Sequence, residues 1–196
     1  MCHKTPDGCP EDERIEICEM EFPVPTERAG FYKDKSAKLA AGMQKALERD
    51  PRFCMLLDAD DRVHADLVGY MAQQQDLLHI VDKGFIYNGS SVLRAHLGDF
   101  HKICGSVKLV PLTLMQEEDT PFLWGHDVIV DRAKERRLPF ENIALPAVIK
   151  NVAYGENWTE TKFIKSETFR RTLRKILRLR PLTPQLKAAF ALDKIA

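Results

Sequence analysis

Nowhere is this sequence apolar over the roughly 20 residues needed to span a bilayer. Its amino terminus, Met1-Cys2-His3-Lys4-Thr5-Pro6-Asp7-Gly8, lacks the apolar stretch of a secretory signal. Net charge is missing as well. The 29 Lys and Arg balance 29 Asp and Glu, so no whole-molecule field points to nucleic acid or another polyanion. The five cysteines, Cys2, Cys9, Cys18, Cys54 and Cys104, are odd in number and scattered. They read as reduced thiols of a cytosol-like compartment, not as a disulfide framework. No second ligand pair at zinc spacing follows Cys2, His3 and Cys9. There is no internal repeat, no low-complexity segment and no Gly-rich loop near the start. A cytoplasmic location is the expectation.

What is present suits a globular protein. With 196 residues, 44% of them apolar and 30% charged, the chain can bury a core of its own. The zero net charge hides an asymmetry. Acids crowd the first thirty residues, and eight basic residues lie between Lys162 and Arg180 with Glu167 as the only acid.

Periodicity gives a coarse order of elements. Ile15-Glu16-Ile17-Cys18 alternates as an isolated strand would. From about Asp34, Ala37, Leu39, Ala40, Met43 and Leu47 share a helix face, which Asp50-Pro51 ends. Phe53 to Leu57 is a short apolar run, the pattern of a strand buried on both faces. A helix near Ala65 to Gln75 and strands at Leu78 to Tyr87 and Ile103 to Val110 follow. Asp127 to Arg137 is helical and Ala147 to Tyr154 strand-like. Such alternation predicts an α/β sheet covered by helices.

The most informative segment is Asp58-Ala59-Asp60-Asp61, which ends the buried run. Three carboxylates so close repel one another, and a cation offsets that repulsion. Ligands of open α/β sheets bind at the carboxyl ends of strands, where this cluster falls. Magnesium or manganese takes one or two protein carboxylates and completes its shell with phosphate and water. The plainer reading is that Asp60 and Asp61 cap the next helix, where acids contribute about 0.3–1 kcal/mol.

Lys35-Ser36-Ala37-Lys38, a helix, and then Phe53 to Asp61 together resemble the central motif of family 2 glycosyltransferases and related GT-A enzymes, in which a strand ends in Asp-x-Asp. Gly125-His126-Asp127-Val128-Ile129-Val130-Asp131-Arg132-Ala133 is similar to that family's Glu-Asp segment. The resemblance covers roughly Lys35 to Tyr154. It implies a GT-A type mixed sheet flanked by helices over 1–160, with a basic helical extension over 161–196.

The implied activity is metal-dependent, inverting transfer of a sugar from a nucleotide diphosphate to an acceptor hydroxyl. Asp58 and Asp60 would hold Mn2+ or Mg2+, with Asp58 also near the nucleotide, and Asp127 would be the general base. Lys38, Gly105, Ser106 and His126 fall where relatives contact donor or acceptor. His126 stands where relatives often carry Glu. A UDP-sugar is the expected donor and a glycan or lipid-linked molecule the acceptor, with no nucleic acid partner. Relatives open with a strand-helix-strand unit before the matched region, whereas this chain reaches Asp-x-Asp by residue 58. The resemblance therefore implies a relative truncated or shortened at its amino terminus.

Two other readings stay open: a non-catalytic or truncated GT-A-like binding module, and a sugar-phosphate nucleotidyltransferase. The missing Gly-rich loop counts against the latter. Trp124 either stacks on a sugar or is buried. Cys104 reads as a small core residue, and Asn157 or Trp158 as a loose candidate contact. The stretch 162–180, with Phe169, Leu173, Ile176 and Leu177 at helical spacing, either lies on an anionic membrane surface or packs its apolar stripe on the domain.

Overall fold

The computed structural model describes residues 11–21, 26–89, 91–152 and 178–192. Their elements in chain order are α1 (Arg28–Leu47), β1 (Phe53–Met55), β2 (Arg62–Val63), α2 (Leu67–Met71), β3 (Leu78–Ile80), β4 (Lys83–Tyr87) and β5 (Val92–Leu97). Then come β6 (Lys108–Pro111), α3 (Leu112–Met115), α4 (Ile129–Glu135), β7 (Phe140–Asn142), β8 (Val148–Asn151), β9 (Leu179–Pro181) and α5 (Pro184–Ala189). The architecture is α/β with two mixed sheets.

The first sheet has the order β1-β6-β3-β7. In it β6 is antiparallel to both neighbours, and β7 is parallel to β3. Alternation along the strands sends side chains to opposite faces. Leu78, Ile80 and Val110 go to one face. There they pack with Leu39, Met43 and Leu47 of α1, Met115 of α3, and Ile129 and Ala133 of α4. Phe53, Met55 and Leu109 go to the other, against Leu67 and Met71 of α2 and Ile86 and Val148 of the second sheet. Each fully buried Leu, Ile or Met contributes about 1.5–3 kcal/mol from its area alone.

The second sheet has the order β2-β8-β4-β5-β9. Its outer face carries Leu93 and Ile149, covered by Phe190 and Leu192 with Leu186 of α5. The chain passes from the first sheet to the second at Val81-Asp82, so the single strand expected over Leu78 to Tyr87 is two strands, β3 and β4.

Other elements differ from the sequence pattern for local reasons. The first helix begins at Arg28, not near Asp34. Asp50, left-handed at φ 48°, helps end it. The apolar run 53–57 is a strand only to Met55, and β1 lies at the edge of its sheet, half-buried. Leu57 is exposed. Ile15 and Ile17 are exposed and form no strand; that segment has only an isolated bridge at Glu19. The strand expected over 103–110 begins at Lys108, because 103–107 turn around Gly105. Helices expected over 65–75 and 127–137 shrink to Leu67–Met71 and Ile129–Glu135.

Strands β2 and β7 are too short for a readable signal, and β5 went unassigned although Leu93, Ala95 and Leu97 alternate with polar neighbours. The basic helical extension expected over 161–196 is not helical at Leu179–Pro181, which is β9 and pairs with β5 in the second sheet. The 160/161 boundary, residues 155–159 and most of the basic stretch 162–180 lie outside the described residues. Among the described residues no helix is long and apolar enough to cross a membrane.

Candidate functional site

The acidic segment leaves β1 through Leu56-Leu57 and turns tightly, with the Asp61 N–H donating to the Asp58 carbonyl at 3.1 Å. This turn gives the three acids different surroundings.

Asp61 points inward and is 8% exposed. Its Oδ2 accepts from the Cys104 thiol at 3.2 Å, and its Oδ1 accepts from the Asn151 N–H at 3.3 Å. Burial pushes its pKa above the usual carboxylate value. Hydrogen bonds from Ser106 and Cys104 oppose that shift, while the charges of Asp58 and Asp60 add to it. Burial and the Asp61 charge in turn raise the Cys104 thiol far above its ordinary value. Cys104 is therefore a protonated core residue, as the sequence suggested, and not a nucleophile.

Asp58 is half-buried and faces cations. Its Oδ1 accepts from Lys35 Nζ at 3.0 Å, and its backbone N–H donates to Ser106 Oγ at 2.8 Å. Ser106, fully buried, thus accepts from Asp58 and donates to Asp61, which locks the turn. Its hydroxyl is thereby engaged by the two acids. Gly105 serves the same turn. A Cβ there would clash with Asp58 Oδ2 and lie 3.2 Å from Asp58 Cγ. The close neighbour that requires glycine here is the Asp58 carboxylate. Asp60 is partly exposed and makes no hydrogen bond or ion pair among the described residues.

Lys38 does not reach these acids. It pairs with Asp34 one turn back on α1, at 2.8 Å. The lysine at Asp58 is Lys35, one helical turn earlier on α1. Sequence reasoning also missed Lys108, a lone charge in the apolar run Val107-Lys108-Leu109-Val110. It is 2% exposed on β6 and its ammonium donates to the Trp124 carbonyl. Burial first, then the charge of Lys35, lowers its pKa to about 8, against the pull of Asp58. An unpaired cation inside a strand was the available signal, because a buried charge requires a partner.

Trp124 leads into the second segment. It is buried, donates from Nε1 to Asp119 at 2.7 Å, and has Arg132 and Arg136 over its ring. It is a packed anchor; the alternative of stacking on a sugar has no free ring face to use. After it, Gly125 leaves room for Asp127, whose Oδ1 would lie 2.8 Å from a Cβ at position 125. Asp127 is exposed. His126 Nδ1 lies 2.5 Å from the His101 carbonyl. A carbonyl only accepts, so Nδ1 carries the proton, and a neutral ring leaves Nε2 as an acceptor.

Lys108 is therefore the physical link between the two segments: it shares the field of Asp58 and Lys35 and holds the carbonyl three residues before Asp127. The sequence motif becomes an exposed or half-exposed acid pair, Asp58 and Asp60, next to Lys35 and a buried Lys108. A three-carboxylate metal cage is excluded because Asp61 is committed inward. Asp58 and Asp60 remain as the two partly exposed acids of the turn, the first of them paired with Lys35.

No family model, curated protein or solved structure matches the chain. The functional reading therefore rests on the residues themselves.

Proposed function

We propose that this chain is a GT-A type glycosyltransferase domain that moves a sugar from a nucleotide-diphosphate donor to an acceptor hydroxyl with inversion. The observation that supports it is the Lys108 link, which ties the acids after β1 to the loop bearing Asp127. Mn2+ or Mg2+ held by Asp58 and Asp60 would neutralise charge on the leaving diphosphate.

The chain's own groups supply the rest. Lys35 and Lys108 offer positive charge beside the acids, where phosphate oxygens would lie. Asp127 accepts the acceptor hydroxyl's proton as that oxygen bonds to the anomeric carbon and the bond to the diphosphate breaks. His126, its Nδ1 held by the His101 carbonyl, would offer Nε2 as a hydrogen-bond acceptor. The donor is a UDP-sugar and the acceptor a glycan or a lipid-linked molecule, met in the cytoplasm.

The test is Mn2+-dependent hydrolysis of UDP-sugars by the full chain, with Asp60→Ala as the control. The reading predicts slow hydrolysis that disappears in the variant. Mn2+-independent hydrolysis, or equal rates in the variant, would sink it. One observation favours a second reading, a binding module without turnover: Lys35 already satisfies Asp58, and β1 has no strand beyond it among the described residues. Binding of a nucleotide sugar without any hydrolysis would support that module.

A further inference from the structure

Away from the acids after β1, a second group of ligand-type side chains meets where β3 hands over to β4. Asp82, Asp99 and His101 bring one ligand atom each to within 4.8 Å of one another, alone in this among the described residues. Their placement follows from the chain path. Asp82 sits at the crossing between the two sheets. Asp99, left-handed at φ 55°, folds back so that its N–H donates to Asp82 Oδ1 at 2.7 Å. The 3-10 turn Phe100–Lys102 then carries His101 inward.

An acidic pair alone is no site. The second observation is His101 itself. Its residue is 4% exposed, and Nδ1 is buried 3.3 Å from Asp82 Oδ1 but off the line of a hydrogen bond, so that nitrogen has no hydrogen-bond partner. A buried ring nitrogen without a hydrogen-bond partner, beside two carboxylates, is the arrangement a metal ion completes. Two ligands each about 2.1 Å from a tetrahedral ion lie about 3.4 Å apart, close to the His101–Asp82 separation.

We infer that Asp82, Asp99 and His101 form a binding site for a divalent first-row transition metal ion. One imidazole with two carboxylates suits zinc, cobalt or manganese better than calcium or magnesium, which prefer oxygen alone. Asp82 Oδ1 also accepts the Asp99 N–H, an outer contact of the kind that orients ligands. Lys102 Nζ, 3.2 Å from Asp99 Oδ1, competes with the ion for that carboxylate. Because the His101 carbonyl holds His126, an ion here fixes the floor beneath the loop that carries Asp127. The site is independent of the Asp58–Asp60 pair and of the transferase reading.

Titration of the full chain with Co2+, followed by visible d–d absorption, tests it. In Asp60→Ala, which removes the other acid pair, one equivalent is expected, with nitrogen and oxygen ligation and no thiolate charge-transfer band, displaced by Zn2+. Asp99→Asn, an exposed change that leaves the core alone, weakens binding at least about tenfold, as does His101→Ala. Lys102→Gln tightens it, and Asp60→Ala leaves this signal in place. If His101→Ala does not fold, Asp99→Asn decides. Absence of Co2+ binding, a thiolate band in place of the expected spectrum, or unchanged affinity in Asp99→Asn overturns the inference.

Discussion

The carboxylate of Asp58 occupies the space where a side chain at Gly105 would begin. The loop before β6 and the turn after β1 are thus fitted to each other at one point. Ser106 adds the hydrogen bond that keeps them there. Gly105→Ala therefore pushes Asp58 away from Lys35 and strains the turn, at a cost of about 1–3 kcal/mol. Chemical denaturation and Mn2+ titration of the same variant check this. Wild-type values for both would contradict the fitted turn.

Lys35 and Lys38 separate cleanly. Lys35 competes with any cation for Asp58, so Lys35→Ala raises Mn2+ affinity in the absence of nucleotide. Lys38→Ala breaks only a pair within α1, so it changes stability slightly and metal affinity not at all. Manganese electron paramagnetic resonance measures both. Identical affinities in the two variants would remove Lys35 from the site.

Asp127→Asn keeps the size of the side chain and removes the proton acceptor. The transfer rate falls about 10²–10⁴-fold, while donor binding holds. Parallel measurements of turnover and of UDP affinity distinguish this from a binding role. Equal loss of both would count against proton transfer.

The pH dependence of stability reports Lys108. Its folded-state pKa, about 8, lies below the ordinary lysine value, so the folded chain holds this proton less tightly than the unfolded chain. The group's contribution is present above the unfolded pKa near 10.4 and is lost as pH falls through about 8. The stability of wild type relative to Lys108→Met should therefore rise between those limits, by an amount on the order of 3 kcal/mol. Urea unfolding at several alkaline pH values gives the difference. A flat difference would mean that Lys108 is not desolvated.

Part of this was legible from residues alone. The helix ahead of β1, the short apolar strand and the acids after it are local patterns, and they stand close to where periodicity put them. The strands β7 and β9 carry little alternation of their own and owe their pairing to distant partners, which no local window records. Val81-Asp82 looked like mid-strand because apolar residues stand on both sides of Asp82-Lys83-Gly84 and the crossing between sheets leaves no turn signal of its own. In the site, the order of Asp58 and Asp60 was readable. What each acid faces depends on Lys35, Cys104, Ser106 and Asn151, which meet only in three dimensions. Lys108 was visible as an oddity, yet its meaning needed the Trp124 carbonyl.

The segment 179–192 closes the larger sheet from a distance. β9 covers the rim of β5 by pairing Pro181, Arg180 and Leu179 with Val92, Leu93 and Arg94. Phe190 seals the outer face, with its ring edge against His64 and Phe85. The Ala189 carbonyl also takes the Ala65 N–H. Cutting the polypeptide after Asn151 would uncap a row of backbone amides and open an apolar hole together, a combination that invites edge-to-edge association between copies. The late residues thus guard both an edge and an apolar face of the larger sheet.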